Sequence, residues 1–523
     1  MAQDQRLLNP ELVEWLNERQ ASLHIVKTTT TRSGKVLDWV SLESQVDEGR
    51  IATAPPALTV AASAVEHRTE RVRFETDEEA EERGPHGTVP ILRPDLSRLT
   101  RTIKLQDYLR KRGGPRRLHG RTPGHESGQA GGSPNPKKYF HNTSTEEDGN
   151  FFGWSGIFNV WDPVVGVPGE SGDYDHSILQ AWVFDQGETQ SVEGGWTVDK
   201  SLNGDLLPHL FLFYTTNAYK KDGNHIGGYN RQYKGWVQYS GPTTTGRTIY
   251  PGIAITSPSV FDGAQFEMPL AIRLFQEPGT QTLNWWVACD GIWIGYYPAS
   301  LYGNGVLATH AEALMAGGEV ESTLKNPETT KDQMGSGLVA SAGFGRAAYI
   351  RNLEKQIDLV GHTADSNGFL ENDVATPGGA DPYSGVLNNQ SGTDWGSFLF
   401  VGGEGDSSGV LATWRVNDGP LPGQSSRASD DAYLLPPSGA DAVKFSISGT
   451  AQNVAEISFD VVIDRSGSDK TCWSGIGDGT VVGIAGSLAH VGMSLAQANG
   501  RGFYVGKVNG ATQPFTLTAE VDV

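Results

Sequence analysis

The sequence predicts an all-β protein whose main body is an antiparallel β-sandwich. Three observations carry that reading. Aromatic and β-branched runs bounded by Gly, Asp and Asn recur along the chain, as at 178–184 and 209–214. Glycine is abundant, 66 of 523 residues, while charged residues make up only 20%. Asp290-Gly291 separates two such runs, 283–288 and 292–297, and Asp-Gly supplies the positive φ angles of a tight hairpin turn.

Taken in order, the chain divides at about 138 and 405. Asn9-Pro10-Glu11 before Leu12, Val13, Trp15 and Leu16 predicts a short helix, with Asn as N-cap and Pro at its first position. Residues 24–31 and 36–40 predict a hairpin around Arg32-Ser33-Gly34-Lys35. Residues 54–138 read as a connector. Charges alternate over 66–83, and a basic run follows from Arg101 to Arg121, with Asp107 its only acid. A Gly/Ser/Pro-rich stretch closes it at 122–136. Residues 139–405 hold the sandwich, with one short helix expected at 306–315. Residues 406–523 read as an appended β-module with strands at 443–448, 456–463, 502–505 and 515–523.

Charge excludes some partners. Residues 1–149 carry 22 basic and 22 acidic side chains, which leaves the whole net charge of −20 on the remainder. An acidic body argues against nucleic acid and anionic membrane. No apolar run is long enough to span a bilayer. Cys289 and Cys472 are too few for a disulfide scaffold or a cysteine zinc site, though one bond between them stays open. The histidines form no metal-binding pattern, and His209 and His225 read as ordinary surface or groove residues. No metal and no cofactor is expected. Gly405-Asp406-Ser407-Ser408-Gly409 fits a serine-hydrolase pattern but lacks the strand-to-helix context it needs.

Two carboxylates stand out. Glu193 lies in Ser191-Val192-Glu193-Gly194-Gly195-Trp196-Thr197-Val198, and Glu319 in Gly317-Gly318-Glu319-Val320. Each has a Gly pair that lets a backbone or a substrate come close. A carboxylate in apolar surroundings has a raised pKa and tends to be functional; a Glu on the solvent face of a strand is the competing reading.

These segments, with Phe211-Leu212-Phe213-Tyr214-Thr215-Thr216, Gly228-Tyr229-Asn230, Gly235-Trp236-Val237-Gln238, Asn284-Trp285-Trp286, Ile294-Gly295-Tyr296-Tyr297-Pro298, Gln333-Met334-Gly335-Ser336-Gly337 and Asp394-Trp395-Gly396-Ser397-Phe398, resemble the neprosin family in family order. The resemblance implies a sandwich of two antiparallel sheets with the active site in a concave groove. It implies a glutamic endopeptidase that cuts after proline at acid pH, with Glu193 and Glu319 as its catalytic pair. Such a pair, a few ångströms apart and sharing one proton, would activate water with the charged carboxylate and stabilise the oxyanion with the protonated one. Which of them holds the proton stays open. Trp196, Tyr214, Trp286 and Tyr297 are candidates for the substrate's proline ring, and Gln238 and Gln333 for orienting the pair.

The resemblance also implies secretion and an N-terminal activation region, here a propeptide acting in cis over residues 1–138. Residues 1–25 carry no basic-then-apolar signal. Plant members have a cysteine pair where this chain has Gly228 and Tyr233, and often one where it has Trp39; the departure points to a microbial relative. The reading from another class is a non-catalytic carbohydrate-binding or adhesive sandwich.

Overall fold

Strands dominate this computed structural model, and they pair antiparallel almost throughout. It describes residues 9–403 except 32, 47–49, 59–68, 78–82, 95–104, 106–138, 164, 166–174, 218–226, 261–262, 323–331, 369, 375–382 and 390–394; of 139–146, 322 and 370–374 it describes the backbone alone, and beyond 403 only backbone strands.

Helix α1, Pro10–Ala21, starts as its sequence dictates. Asn9 caps it, its side chain accepting from the amides of Glu11 and Leu12. Strands β1, Ile25–Thr30, and β2, Val36–Ser41, form the expected hairpin. The stretch read as a connector is partly built into the fold. Within it, β3, Thr69–Arg71, and β4, Thr88–Leu92, are strands, and β4 completes a three-stranded sheet with β2. The basic run from Arg101 lies outside the described residues.

The body follows as β5, Tyr139–Phe151; β6, Gly153–Asn159; β7, His176–Phe184; β8, Ser191–Asp199; the short helix α2, Lys200–Asn203; β9, His209–Thr215; and β10, Gly227–Tyr229. Then come β11, Val237–Gln238; β12, Gln265–Gln276; β13, Leu283–Cys289; β14, Ile292–Pro298; β15, Ala311–Ser322; β16, Ala348–Gln356; β17, Thr363–Asp365; β18, Leu370–Val374; β19, Ser384–Asn388; and β20, Phe398–Gly402. The first large sheet runs β10-β9-β8-β7-β15-β5-β18. The second runs β11-β14-β13-β12-β6-β16-β20-β19, with β17 on β16 and β3 lying parallel to β12. In the β13–β14 hairpin both turn residues have positive φ, Asp290 at 52° and Gly291 at 77°.

The helix expected at 306–315 is not there. Val306–Ala308 makes a single 3-10 turn, and from Ala311 the chain is strand. Ala, Leu and Met favour a helix locally, but pairing with β7 on one side and β5 on the other overrides that propensity. Cys289 is a buried free thiol on β13, and Cys472 lies outside the described residues. Tyr233 stacks on Trp15 of α1, with ring centroids 5.2 Å apart. No helix among the described residues is long and apolar enough to cross a membrane.

Residues 406–523 belong to a second compact unit. Its described strands form a five-stranded and a three-stranded antiparallel sheet. They include Ala442–Ala451, Ile457–Arg465, Arg501–Val508 and Gln513–Asp522, which overlap the four stretches read as strands.

Candidate active site

Side chains in a strand alternate faces, so register decides which residues meet. On β8, Val192, Gly194, Trp196 and Val198 turn one way. A Cβ on Gly194 would lie 3.3 Å from Ile272 and Leu270 of β12, so this is the face packed against the second sheet. Ser191, Glu193, Gly195, Thr197 and Asp199 turn the other way. Glu193 pairs with Trp182 of β7, and Glu319 of β15 pairs with Ile178 of β7. Trp182, Gln180 and Ile178 share one face of β7. Both glutamates therefore stand on that same face, on the strands flanking β7.

They are diagonal, not side by side. Glu193 is level with residue 182 and Glu319 with residue 178. Strand spacing and rise place their Cα atoms about 10 Å apart across the sheet and about 13 Å along it. Gln180 occupies the middle of that diagonal. Its neighbours in the same row are Gly195 and Gly317. A Cβ on Gly195 would fall 2.0 Å from the Leu179 carbonyl oxygen, so the backbone of β7 comes in where only glycine fits.

The polar contacts are specific. Ser191 Oγ donates to Glu193 Oε1 at 2.7 Å. Gln180 Nε2 donates to Glu319 Oε2 at 3.2 Å, and His176 Nε2 lies 3.1 Å from Glu319 Oε1. His176 Nδ1 lies 3.4 Å from Glu321 Oε2. Burial alone would push His176 down. The hydrogen bond to Glu319 and the charges of Glu321, Glu319 and Asp199 outweigh it and hold the imidazole above its ordinary range. A protonated ring donates to Glu319 and sets its positive charge beside Glu321.

Tyr229 of β10 joins this face through Phe213 and Phe211, with centroids 5.1 and 5.9 Å away. Burial pushes its phenol well above the usual range, and the negative charges of Glu319, Asp199, Glu193 and Glu321 push it further. Two apolar clusters flank the polar diagonal: Ile178, Phe211, Phe213 and Tyr229 on one side, and Trp182, Phe184, Ala313 and Met315 on the other. The indole N–H of Trp182, buried opposite Glu193, has no hydrogen-bond partner among the described residues. Glu193 is 0% exposed and Glu319 2%, although this face turns away from the second sheet.

The aromatic candidates lie elsewhere. Trp196 is on the opposite face of β8, its indole donating to the Asn159 carbonyl at 3.0 Å. Tyr214 pairs with Val192, bonds the Lys234 carbonyl and packs on Tyr297 at 4.9 Å, between the sheets. Trp286 faces outward on the second sheet. Gln238 is fully buried and bonds the Ile249 and Ser240 carbonyls at 2.7 and 3.3 Å. Gln333 is buried over Gly337. Trp196, Tyr214 and Trp286 are therefore off the glutamate face of the first sheet. His209 is not a surface residue. It is fully buried and bonds Asp205 at 2.7 Å and the Gly252 carbonyl at 2.9 Å, with Lys35 beside it. His225 and the segment Gly405-Asp406-Ser407-Ser408-Gly409 lie outside the described residues or have no described side chains.

His176, Gln180, Trp182, Ser191 and Tyr229 are the neighbours that sequence reasoning missed. Parity was the usable signal: within β7 and β8, residues an even number of places from Gln180 or Glu193 share its face. No group of residues that could hold a metal ion occurs among the described residues.

Residues 173–404 match the neprosin family model. That span takes in β7, β8 and β15, hence both glutamates and all five of these neighbours. The family is associated with peptidase activity.

Proposed function

This chain belongs to the neprosin family through residues 173–404, and from that premise we propose that it is an acid-active glutamic endopeptidase that cuts polypeptides after proline. The observation that carries the reading is the shared face: Glu193 and Glu319 stand on it on the two strands that flank β7, with Gln180 between them.

The surroundings assign roles. Donors pointing at a carboxylate favour its charged form. Glu319 receives them from Gln180 and His176, so it is the base. Glu193, whose Oε1 lies 2.7 Å from the Ser191 hydroxyl, is assigned the part of hydrogen-bond donor to the oxyanion. Glu319 takes a proton from water as the water oxygen attacks the proline carbonyl carbon. Glu193 donates a hydrogen bond to the oxyanion that forms, with the Tyr229 phenol and the Trp182 indole as further donors. As the C–N bond breaks, Glu319 returns the proton to the leaving amine, and one peptide and one water become an acid and an amine. The rings of Trp182, Phe213 and Tyr229 offer apolar walls to the proline.

Buried catalytic carboxylates admit no substrate, which supports synthesis as a zymogen with the N-terminal region as propeptide in cis. Release outside the cell would suit such latency. The experiment is incubation with a proline-rich peptide at acid pH and fragment analysis by mass spectrometry, with mass of the chain followed in parallel. Cleavage after proline supports the reading. Absence of fragments from a chain that has lost its N-terminal region removes it and favours a binding sandwich.

A further inference from the structure

The outward face of β12–β14 carries a platform of aromatic rings on the second sheet. Trp286 lies 4.7 Å from Tyr296 and 6.1 Å from Trp293 between centroids, and Phe275 stands edge-on to Trp293 at 5.6 Å. An outward sheet face is ordinarily solvated and polar. Here Trp286 is 1%, Tyr296 3% and Trp293 5% exposed. Ile51, Ala52, Ala54 and Leu58 pack against this cluster and help to bury it.

The covering stretch 51–58 adds no strand to the sheet. It is held instead by side chains of the platform. Trp293 Nε1 donates to the Pro56 carbonyl at 3.0 Å. Tyr296 Oη accepts from the Ala52 amide at 3.1 Å. Glu277 accepts from the Thr53 amide at 2.9 Å and from its hydroxyl at 2.7 Å. The stretch reads Ile51-Ala52-Thr53-Ala54-Pro55-Pro56-Ala57-Leu58. A proline-bearing segment lying over tilted and edge-on aromatic rings, with the Pro56 carbonyl accepting from an indole N–H, shares these features with the aromatic grooves that recognise proline-rich ligands.

We propose that this face is a binding site for an extended proline-containing peptide, filled here by residues 51–58, and that it takes a proline-rich stretch of polypeptide substrate when that segment is displaced. The identity of the second occupant rests on the peptidase reading; the binding itself does not. Glu277 adds selectivity, since it requires a free N–H or hydroxyl upstream of the prolines.

The test uses the full chain carrying Glu319→Gln, so that binding is read apart from hydrolysis. Residues 51–58 are replaced by a Gly/Ser stretch of equal length, and near-UV circular dichroism checks the fold. A synthetic peptide with the sequence of residues 50–58 is titrated against tryptophan fluorescence. Saturable binding is expected, weakened about tenfold when both prolines become Ala, and about tenfold by Trp293→Phe, the usual effect of one lost hydrogen bond. No saturable binding to the folded variant, or equal affinity for the proline-free peptide, overturns the proposal. Should the replaced chain fail to fold, Trp293→Phe alone in the otherwise intact chain gives the reading. Amide exchange at Ala52 and Thr53 is expected to accelerate, and unchanged exchange overturns the proposal.

Discussion

Glu193 and Glu319 stand on one face of the seven-stranded sheet, two strands apart and four residues out of step, with Gln180 on the diagonal between them. Under the proposed mechanism, the diagonal gives the intervening strand a part in the chemistry. Gln180 reaches Glu319 directly, and the glycines beside it keep its row clear of bulk.

Gln180→Leu keeps the volume of that side chain and removes its donor. A hydrogen bond to a charged group contributes about 1.5–3 kcal/mol, which corresponds to a fall in kcat/KM of roughly ten- to a hundredfold. Steady-state cleavage of a proline-containing peptide checks it, with circular dichroism unchanged. Wild-type turnover would show that Gln180 does not hold Glu319 in a working position.

His176 makes the site's stability depend on pH. Its folded-state pKa is raised, because the carboxylates around it outweigh burial. Its contribution is therefore fully present below the unfolded value of about 6.5 and is lost as pH rises through the raised folded value. Glu319, Glu321 and Asp199 are the charges that face it. The Tm difference between wild type and His176→Gln is expected to be larger at pH 5 than at pH 9. A difference that grows with pH would contradict a cationic His176. The same variant should shift the acid-side pH profile of kcat, because it removes the cation that keeps Glu319 charged.

The two glycines after Glu193 should respond differently to Ala. A Cβ on Gly194 meets only side chains, at 3.1–3.3 Å from Leu212, Ile272 and Leu270, and these can give a little. A Cβ on Gly195 meets backbone at 2.0 Å and 2.8 Å, from the Leu179 oxygen and the Gln180 Cα. Overpacking a core typically costs about 1–3 kcal/mol. Gly194→Ala is expected within or below that range, and Gly195→Ala above it, as measured by urea midpoints. Equal midpoints would mean that β7 does not press on β8 at this point.

Much of the frame was legible because it rests on local chemistry. The Asn9 cap, the Asp290-Gly291 turn and the strands around Glu193 follow from residue type and period. The strand at Ala311–Ser322 was not, since its Ala, Leu and Met residues favour a helix and only pairing with β5 and β7 decides the matter. Nor was β3, a three-residue strand inside a run of charge that takes its order from β12. At the site, the two glutamates were visible through their Gly pairs. Their companions were harder: Trp196 looks close to Glu193 in sequence, but three residues along a strand is an odd number and puts it on the other face. Gln180 and His176 come from a neighbouring strand, and only register brings them to Glu319.

The central claim is that these two carboxylates act together on one peptide bond. Its most direct measurement is the turnover of Glu193→Gln, Glu319→Gln and the double variant on a proline-containing peptide at acid pH, in chains freed of the N-terminal region and shown folded by near-UV circular dichroism. Losing a general base or an oxyanion donor costs about a hundredfold or more, and groups that act as a unit do not add. The account predicts that each single variant loses at least about that much and that the double variant is little worse than either. Near-wild-type turnover by either single variant would contradict it.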